Sequence, residues 1–303
     1  MTDFLQLLIS GLATGAIYAL IALGYTLVYG IIELINFAHG DVYTVGGLIG
    51  LTLIGLLHLE GASALWLIPG LILVFVVAMS LNGLLGVVIE RVAYRRLRNA
   101  PRLAPLITAV GVSFILEGAI FLVKGPNHIS YPNLLPSGSI NILGYELGVQ
   151  NLIIIVLALA LMVGLHQFIQ RTQIGRAMRA TAQDRDAARL MGININRTIA
   201  VTFFLGSALA AAGGIINGFY FQDIFFNQGF QAGLFAFTAA VFGGIGNVIG
   251  ASVGGFVIGL IVAMVGGYMQ GGQQWSDVFV FGILILVLVF RPTGLFGMRV
   301  PEK

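Results

Sequence analysis

The chain has no cysteine. A disulfide framework, a thiolate nucleophile and a cysteine-ligated metal are therefore all excluded. Charge is nearly as scarce, since Asp, Glu, Lys and Arg make up 9% of the 303 residues, against about a quarter in soluble domains. A soluble globular enzyme, a disordered chain and a nucleic-acid binder do not fit so little charge. Lysine occurs only at Lys124 and Lys303. Neither closes a G-x-x-x-x-G-K-[ST] run, so the chain has no P-loop with which to cradle ATP phosphates. It has no H-E-x-x-H and no G-x-S-x-G, and His39, His58, His128 and His166 show no metal-ligand spacing. Gly244 and Gly246 open a G-x-G, but Ile249 stands where a dinucleotide fingerprint needs its third glycine. The expectation is a chain that is not an enzyme and carries no cofactor or metal.

What is present is apolar. Hydrophobic residues make up 58% of the chain and the mean hydropathy is +0.99. Eight spans of about 20 residues would use roughly 160 positions and leave room for loops. The predicted fold class is all-α: one polytopic membrane domain over 1–303, with about 8–10 transmembrane helices and glycine-rich breaks. Apolar runs place spans near 5–30, 42–59, 64–89, 103–123, 151–170, 198–221 and 277–291. Residues 231–270 are apolar but punctuated by glycine. The opening MTDFLQLLIS has no basic n-region and reads as the start of a first span.

Fourteen of the fifteen Lys and Arg residues fall in three clusters, Arg91 to Arg102, Arg171 to Arg197 and Arg291 to Lys303. Basic loops of this kind stay in the cytoplasm and set topology. The pI of about 9.3 follows from those loops and needs no anionic partner. Glu60, the segment 124–150 with Glu146, and Asp223 then face the other side. Counting from these assignments puts the N-terminus outside and gives nine passes, provided 231–270 contributes two.

The chain has 42 glycines. G-x-x-x-G spacings occur at Gly11/Gly15, Gly46/Gly50, Gly214/Gly218, Gly246/Gly250, Gly250/Gly254 and Gly255/Gly259. Small faces let helices approach closely in lipid, and most of these read as packing seams. Two places ask for more, because polar residues and helix breakers interrupt long apolar stretches there. One is Ile35-Asn36-Phe37-Ala38-His39-Gly40-Asp41; the other runs from Gly243 through Gly244, Gly246 and Asn247 to Gly250. Irregular backbone at membrane depth survives where protein buries it or where it lines a wet cavity. One break in each half is the pattern of transporters built from two repeats. Asn36, His39, Asp41, Gly243, Gly244, Gly246 and Asn247 are therefore candidate substrate-path residues. Glu117, a carboxylate well inside a predicted span, joins them.

The longest basic segment, 171–197, predicts a helix bracketed by Gly175 and Gly192. Ala177, Ala180, Thr181, Asp184, Ala187, Ala188 and Met191 share one face of it, and Arg176, Arg179, Arg185 and Arg189 lie around the rest. A narrow helix with a small-residue face can dock in a groove on a partner. The run at Arg91, Arg95, Arg96 and Arg98 lacks such a face and reads as a topology anchor.

Several stretches resemble one family. Tyr18-Ala19-Leu20-Ile21-Ala22-Leu23-Gly24-Tyr25-Thr26-Leu27-Val28-Tyr29-Gly30 and Ile35-Asn36-Phe37-Ala38-His39-Gly40-Asp41 are similar to the H-type permease of bacterial branched-chain amino acid ABC importers. So are Ile89-Glu90-Arg91-Val92-Ala93-Tyr94-Arg95, Gly175-Arg176-Ala177 through Gly192, Ala239 to Gly246, and Arg291-Pro292-Thr293-Gly294. The resemblance implies an inner-membrane importer subunit for leucine, isoleucine and valine. It implies a sister M-type permease, two cytoplasmic ATP-binding subunits and an extracytoplasmic substrate-binding protein as partners. Urea and short-amide permeases resemble the same landmarks. A self-sufficient secondary transporter would need a coupling-ion site, for which Glu117 alone speaks.

Overall fold

The computed structural model describes residues 2–297 apart from 99, 102, 137, 143 and 144. Arg102, Arg299, Lys303 and the side chain of Glu146 lie outside the described part. The fold is all-α. Its helices are α1 (Thr2–Ile32), α2 (His39–Leu56), α3 (Ala64–Ile89), α4 (Leu103–Lys124), α5 (Val149–Arg171), α6 (Gln173–Gln183), α7 (Arg185–Leu190), α8 (Ile195–Phe221), α9 (Gln228–Gly243), α10 (Val248–Tyr268) and α11 (Gly272–Phe290). A π turn over Glu90–Tyr94 and a 3-10 turn over Arg95–Leu97 extend α3.

Among the described residues six helices are long and apolar enough to cross a membrane: α1, extended α3, α4, α5, α8 and α10. The shorter or more polar α2, α9 and α11 run alongside them; if all three cross as well, the total is the nine that parity asks for. The glycine-punctuated stretch resolves into α9 and α10, joined through residues 244–247. At 16 residues α9 is shorter than the roughly 20 that a straight span needs. It survives because it packs on α1, α2, α10 and α11, not on lipid.

α1 and α8 form the centre, with 67% and 78% of their most apolar windows buried, against 17% for α4. The outer helices α3, α4, α5 and α11 carry large exposed apolar side chains, Leu65, Phe114, Val156 and Phe290 among them. That is how a lipid-facing surface is dressed. The centre is held by small residues. Gly11 and Gly15 of α1 meet Ala263, Phe256 and Gly259 of α10, so two of the G-x-x-x-G seams pair with each other. Gly46 of α2 and Gly214 of α8 likewise meet Ala211 and Gly47 across α2 and α8.

The three basic segments gather at one end of the bundle. The Arg98 guanidinium donates to Asn196 Oδ1 (2.6 Å), Arg185 donates to the Ile31 carbonyl (2.7 and 3.1 Å), and Leu295 N–H donates to the Phe242 carbonyl (2.9 Å). At the opposite end a short strand β1 (Ile129–Ser130) pairs with another over Asp223–Ile224. Between them in sequence lies a hairpin of Ser139–Ile142 with Tyr145–Gly148. The expected sidedness is cytoplasmic for the basic end. A single cysteine at exposed Asn133 should react with an impermeant maleimide in whole cells, and one at exposed Gln183 only after lysis. The reverse pattern would invert the topology.

Arg95 and Arg98 do more than anchor topology. Both hold the carboxylate of Glu90, which is fully buried: Arg95 at 2.7 Å, and Arg98 more closely still. Since Arg98 also reaches Asn196, this cluster ties the end of α3 to the start of α8.

Candidate functional site

A cavity of about 650 Å³ opens at the end opposite the basic segments, among α1, α8, α9, α10 and α11. Its α1 wall is a stripe of Ser10, Thr14 and Tyr18. These recur every four residues in an otherwise apolar helix and so share one face. Asn217 and Tyr220 come from α8, Gln228 and Gln231 from α9, and Ser276 and Asp277 from α11. Tyr18 and Phe235 meet edge to face at 5.5 Å. They are the innermost cavity residues of α1 and α9, so they form its floor.

Further toward the basic end the path is shut by aromatic rings. Tyr25, two turns beyond Tyr18, contacts Phe237 at 6.1 Å and His39 at 4.9 Å, and Phe37 lies 6.1 Å from Phe237. The crevice among Tyr25, Tyr29, Ile35, Phe237, Ala240 and Ile245 measures about 10 Å³, space for no more than about one water. Along this line the cavity is open outward and closed by packed rings toward the basic end, where clefts of about 330 and 620 Å³ lie around Arg98 and Arg185.

The two breaks named from the sequence come together at this closed end. Ile35 and Ile245 line the same crevice, and Gly30 of α1 faces Gly246. Asn36, His39 and Asp41 are buried at the start of α2. Asn36 Oδ1 accepts from the Tyr94 hydroxyl at 2.7 Å, and His39 lies against Gly24 and the Tyr25 ring. Asp41 takes the Ser113 hydroxyl, a short contact, while its other carboxylate oxygen has no partner among the described residues. Glu117, one turn beyond Ser113 on α4, is within electrostatic reach of Asp41. It forms no ion pair with Lys124 among the described residues.

Gly243, Gly244, Gly246 and Asn247 build the tight connection between α9 and α10. The Asn247 side chain caps α10 by accepting from the N–H groups of Ile249 and Gly250 (3.0 and 3.1 Å). It also donates to the Phe296 carbonyl (2.9 Å). Gly244 adopts φ +105°, where a side chain is strained, and packs against Gly294 and Gly297. None of these residues lines the open cavity. The cavity's own polar residues were not singled out in the sequence, because they come from four distant helices and those near 228 and 276 sit at helix starts, where polar residues are ordinary. The four-residue recurrence of Ser10, Thr14 and Tyr18 was the one signal that could have found them.

The basic segment departs from the single helix expected. It is two helices, broken at Asp184, which is extended (φ −155°, ψ 113°) and caps α7 by accepting from the N–H groups of Asp186 and Ala187 at 2.9 Å. Gly175 lies inside α6, against the Ile169 backbone; Gly192, at φ +83°, does end α7. The break also divides the expected face. Met178, Thr181 and Ala188 turn inward, Ala177 and Ala180 are half-buried, and Arg176, Ala187 and Met191 are exposed beside Leu190.

The match to known proteins covers nearly the whole chain. The family model described as "Branched-chain amino acid transport system / permease component" matches residues 7–288. The chain belongs to this permease family. It is 44% identical to the high-affinity branched-chain amino acid transport system permease protein BraD of Pseudomonas aeruginosa, over 99% of this chain and 98% of that protein. It is 41% identical to LivH of Escherichia coli, over 99% and 97%. LivM of Salmonella typhimurium is 24% identical over 94% of this chain and 69% of its own length. No solved structure matches. As a member of this family the chain is a multi-pass membrane permease subunit of a transport system.

Proposed function

We propose that this chain is the H-type permease subunit of an ATP-driven importer of leucine, isoleucine and valine in a bacterial inner membrane, working as one permease domain over 1–303. Full-length similarity to BraD and LivH carries the reading. Its partners are a sister M-type permease, two cytoplasmic ATP-binding subunits and an extracytoplasmic substrate-binding protein. The chain has no P-loop of its own, so in an ATP-driven importer the hydrolysis falls to another subunit. The open cavity receives the amino acid released by the binding protein. Tyr25, Phe237, Ile35 and Ile245 form the inner gate, with Asn36, His39, Asp41 and Glu117 holding α2 and α4 beside it. The turn from Gly243 to Asn247 carries α9 and α10 as that gate opens.

Alternating access needs the gate to open when ATP closes the partner subunits. In this reading α6 and α7 are the contact through which that closure arrives. The test is reconstitution of the four kinds of subunit in liposomes. ATP-dependent uptake of labelled leucine is expected, and none without the ATP-binding subunits. Uptake of urea in place of leucine, or uptake that persists without ATP, would replace this reading.

A further inference from the structure

We propose that Asp277 is the counter-ion for the α-ammonium group of the substrate in the open cavity. This rests on the importer reading above and adds the group that recognises an amino acid as such. The cavity, at about 650 Å³, falls within the ~300–1,000 Å³ of small-molecule sites. Its ionisable lining among the described residues is one-sided: Asp277, Asp223, His128 and three tyrosines, with no Lys or Arg. Asp223 is already engaged, since its carboxylate meets the His128 ring at 2.6 Å. Asp277 has the Gln231 amide at 3.2 Å, a neutral partner that leaves its charge uncompensated.

A half-exposed carboxylate on a cavity wall favours a cation, and the field is strengthened where low-dielectric walls surround it. A free amino acid brings such a cation; urea and short amides do not. The position is also right for the rest of the molecule. Tyr18, which lies within electrostatic reach of Asp277, joins Phe235 in the cavity floor. Val262 and Ala263 extend that apolar surface, where a branched side chain has a place to lie. Uncharged donors elsewhere in the lining, Ser10, Thr14 and Asn217, remain for the carboxylate.

The test uses the complete importer in liposomes with its binding protein. Asp277→Asn is expected to lower the maximal rate of ATP-driven leucine uptake about tenfold, the loss of some 1.4 kcal/mol of interaction. Docking of the binding protein and basal ATP hydrolysis should stay unchanged, and Asp277→Glu should recover most of the rate. Because the chain has no cysteine, Asp277→Cys offers a second arm, with cysteine-free partners. Labelling it with carboxyethyl methanethiosulfonate should restore uptake, while the aminoethyl reagent should not. Uptake by Asp277→Asn within twofold of the parent would overturn the assignment, as would equal rates with the two labels or loss of binding-protein docking. A parent complex that carries no leucine would instead sink the importer reading itself.

Discussion

Gly259→Leu is expected to prevent the permease from accumulating as a monodisperse, folded protein. Gly259 sits in α10 against the backbone of Gly15, and a Cβ there would also come within 2.6 Å of the Gly11 carbonyl oxygen. Backbone cannot swing away as a flexible side chain can. α1 and α10 would have to separate along the seam that centres the bundle. In lipid no hydrophobic effect compensates for that separation, because the tails are as apolar as leucine. Overpacking a soluble core costs about 1–3 kcal/mol and occasionally more; a backbone contact at the central crossing belongs at or above the top of that range. Gly111→Leu is the control. Gly111 lies on α4, where a Cβ would meet only open space. This variant should express and melt like the parent. Size-exclusion profile and thermal unfolding in detergent measure both. A monodisperse Gly259→Leu with an unchanged melting temperature would show that this crossing does not hold the bundle.

This seam marks how far the chain's design was legible beforehand. The G-x-x-x-G spacings at Gly11/Gly15 and Gly255/Gly259 were visible, and their packing role follows from lipid physics. Their mating with each other was not visible, since nothing local to α1 names α10. Hydropathy placed α3 and α4 within a residue at each end, because lipid-facing helices are apolar all round. It started α2 at 42, whereas the helix begins at His39. Polar His39 and Asp41 fall outside the apolar run, yet they belong to the helix and are buried inside the protein against Gly24 and Ser113. The closed aromatic end of the cavity was half legible: the breaks at 35–41 and 243–247 were named, but their meeting beside Tyr25 and Phe237 needs tertiary packing. Asp277 and Gln231 were invisible as a site because 46 residues separate them. The break at Asp184 had a signal, a helix-capping aspartate, but alanines at helical spacing on both sides masked it.

That break decides which alanine tests coupling. Ala187→Trp is expected to abolish ATP-driven uptake while the membrane domain stays folded. Ala187 is exposed on α7 beside Leu190 and Met191, which are 88% and 82% exposed at the basic end of the bundle. Two such apolar side chains with a small residue between them form the kind of surface that a partner groove covers. A tryptophan there leaves the docked face no room. Ala188→Trp, one residue on, tests something else, because Ala188 is only 4% exposed and packs into the chain's own core. Its loss of function should come with loss of fold. In the proposed coupling, Arg185 would connect the docked surface to the path. Its guanidinium donates twice to the carbonyl of Ile31, in the last turn of α1, where a cation also meets the negative end of the helix dipole. α1 carries Ser10, Thr14 and Tyr18 in the cavity and Tyr25 in the crevice, so in this reading a movement of α7 would act on the helix that lines both. Arg185→Ala should therefore keep the ATP-binding subunits bound and hydrolysing while uptake falls, whereas Ala187→Trp should release them. Co-purification of the ATP-binding subunits, read alongside uptake, separates the two. Normal uptake by Ala187→Trp with those subunits still bound would make α7 a solvated loop helix and leave the Arg185 contact a simple helix cap.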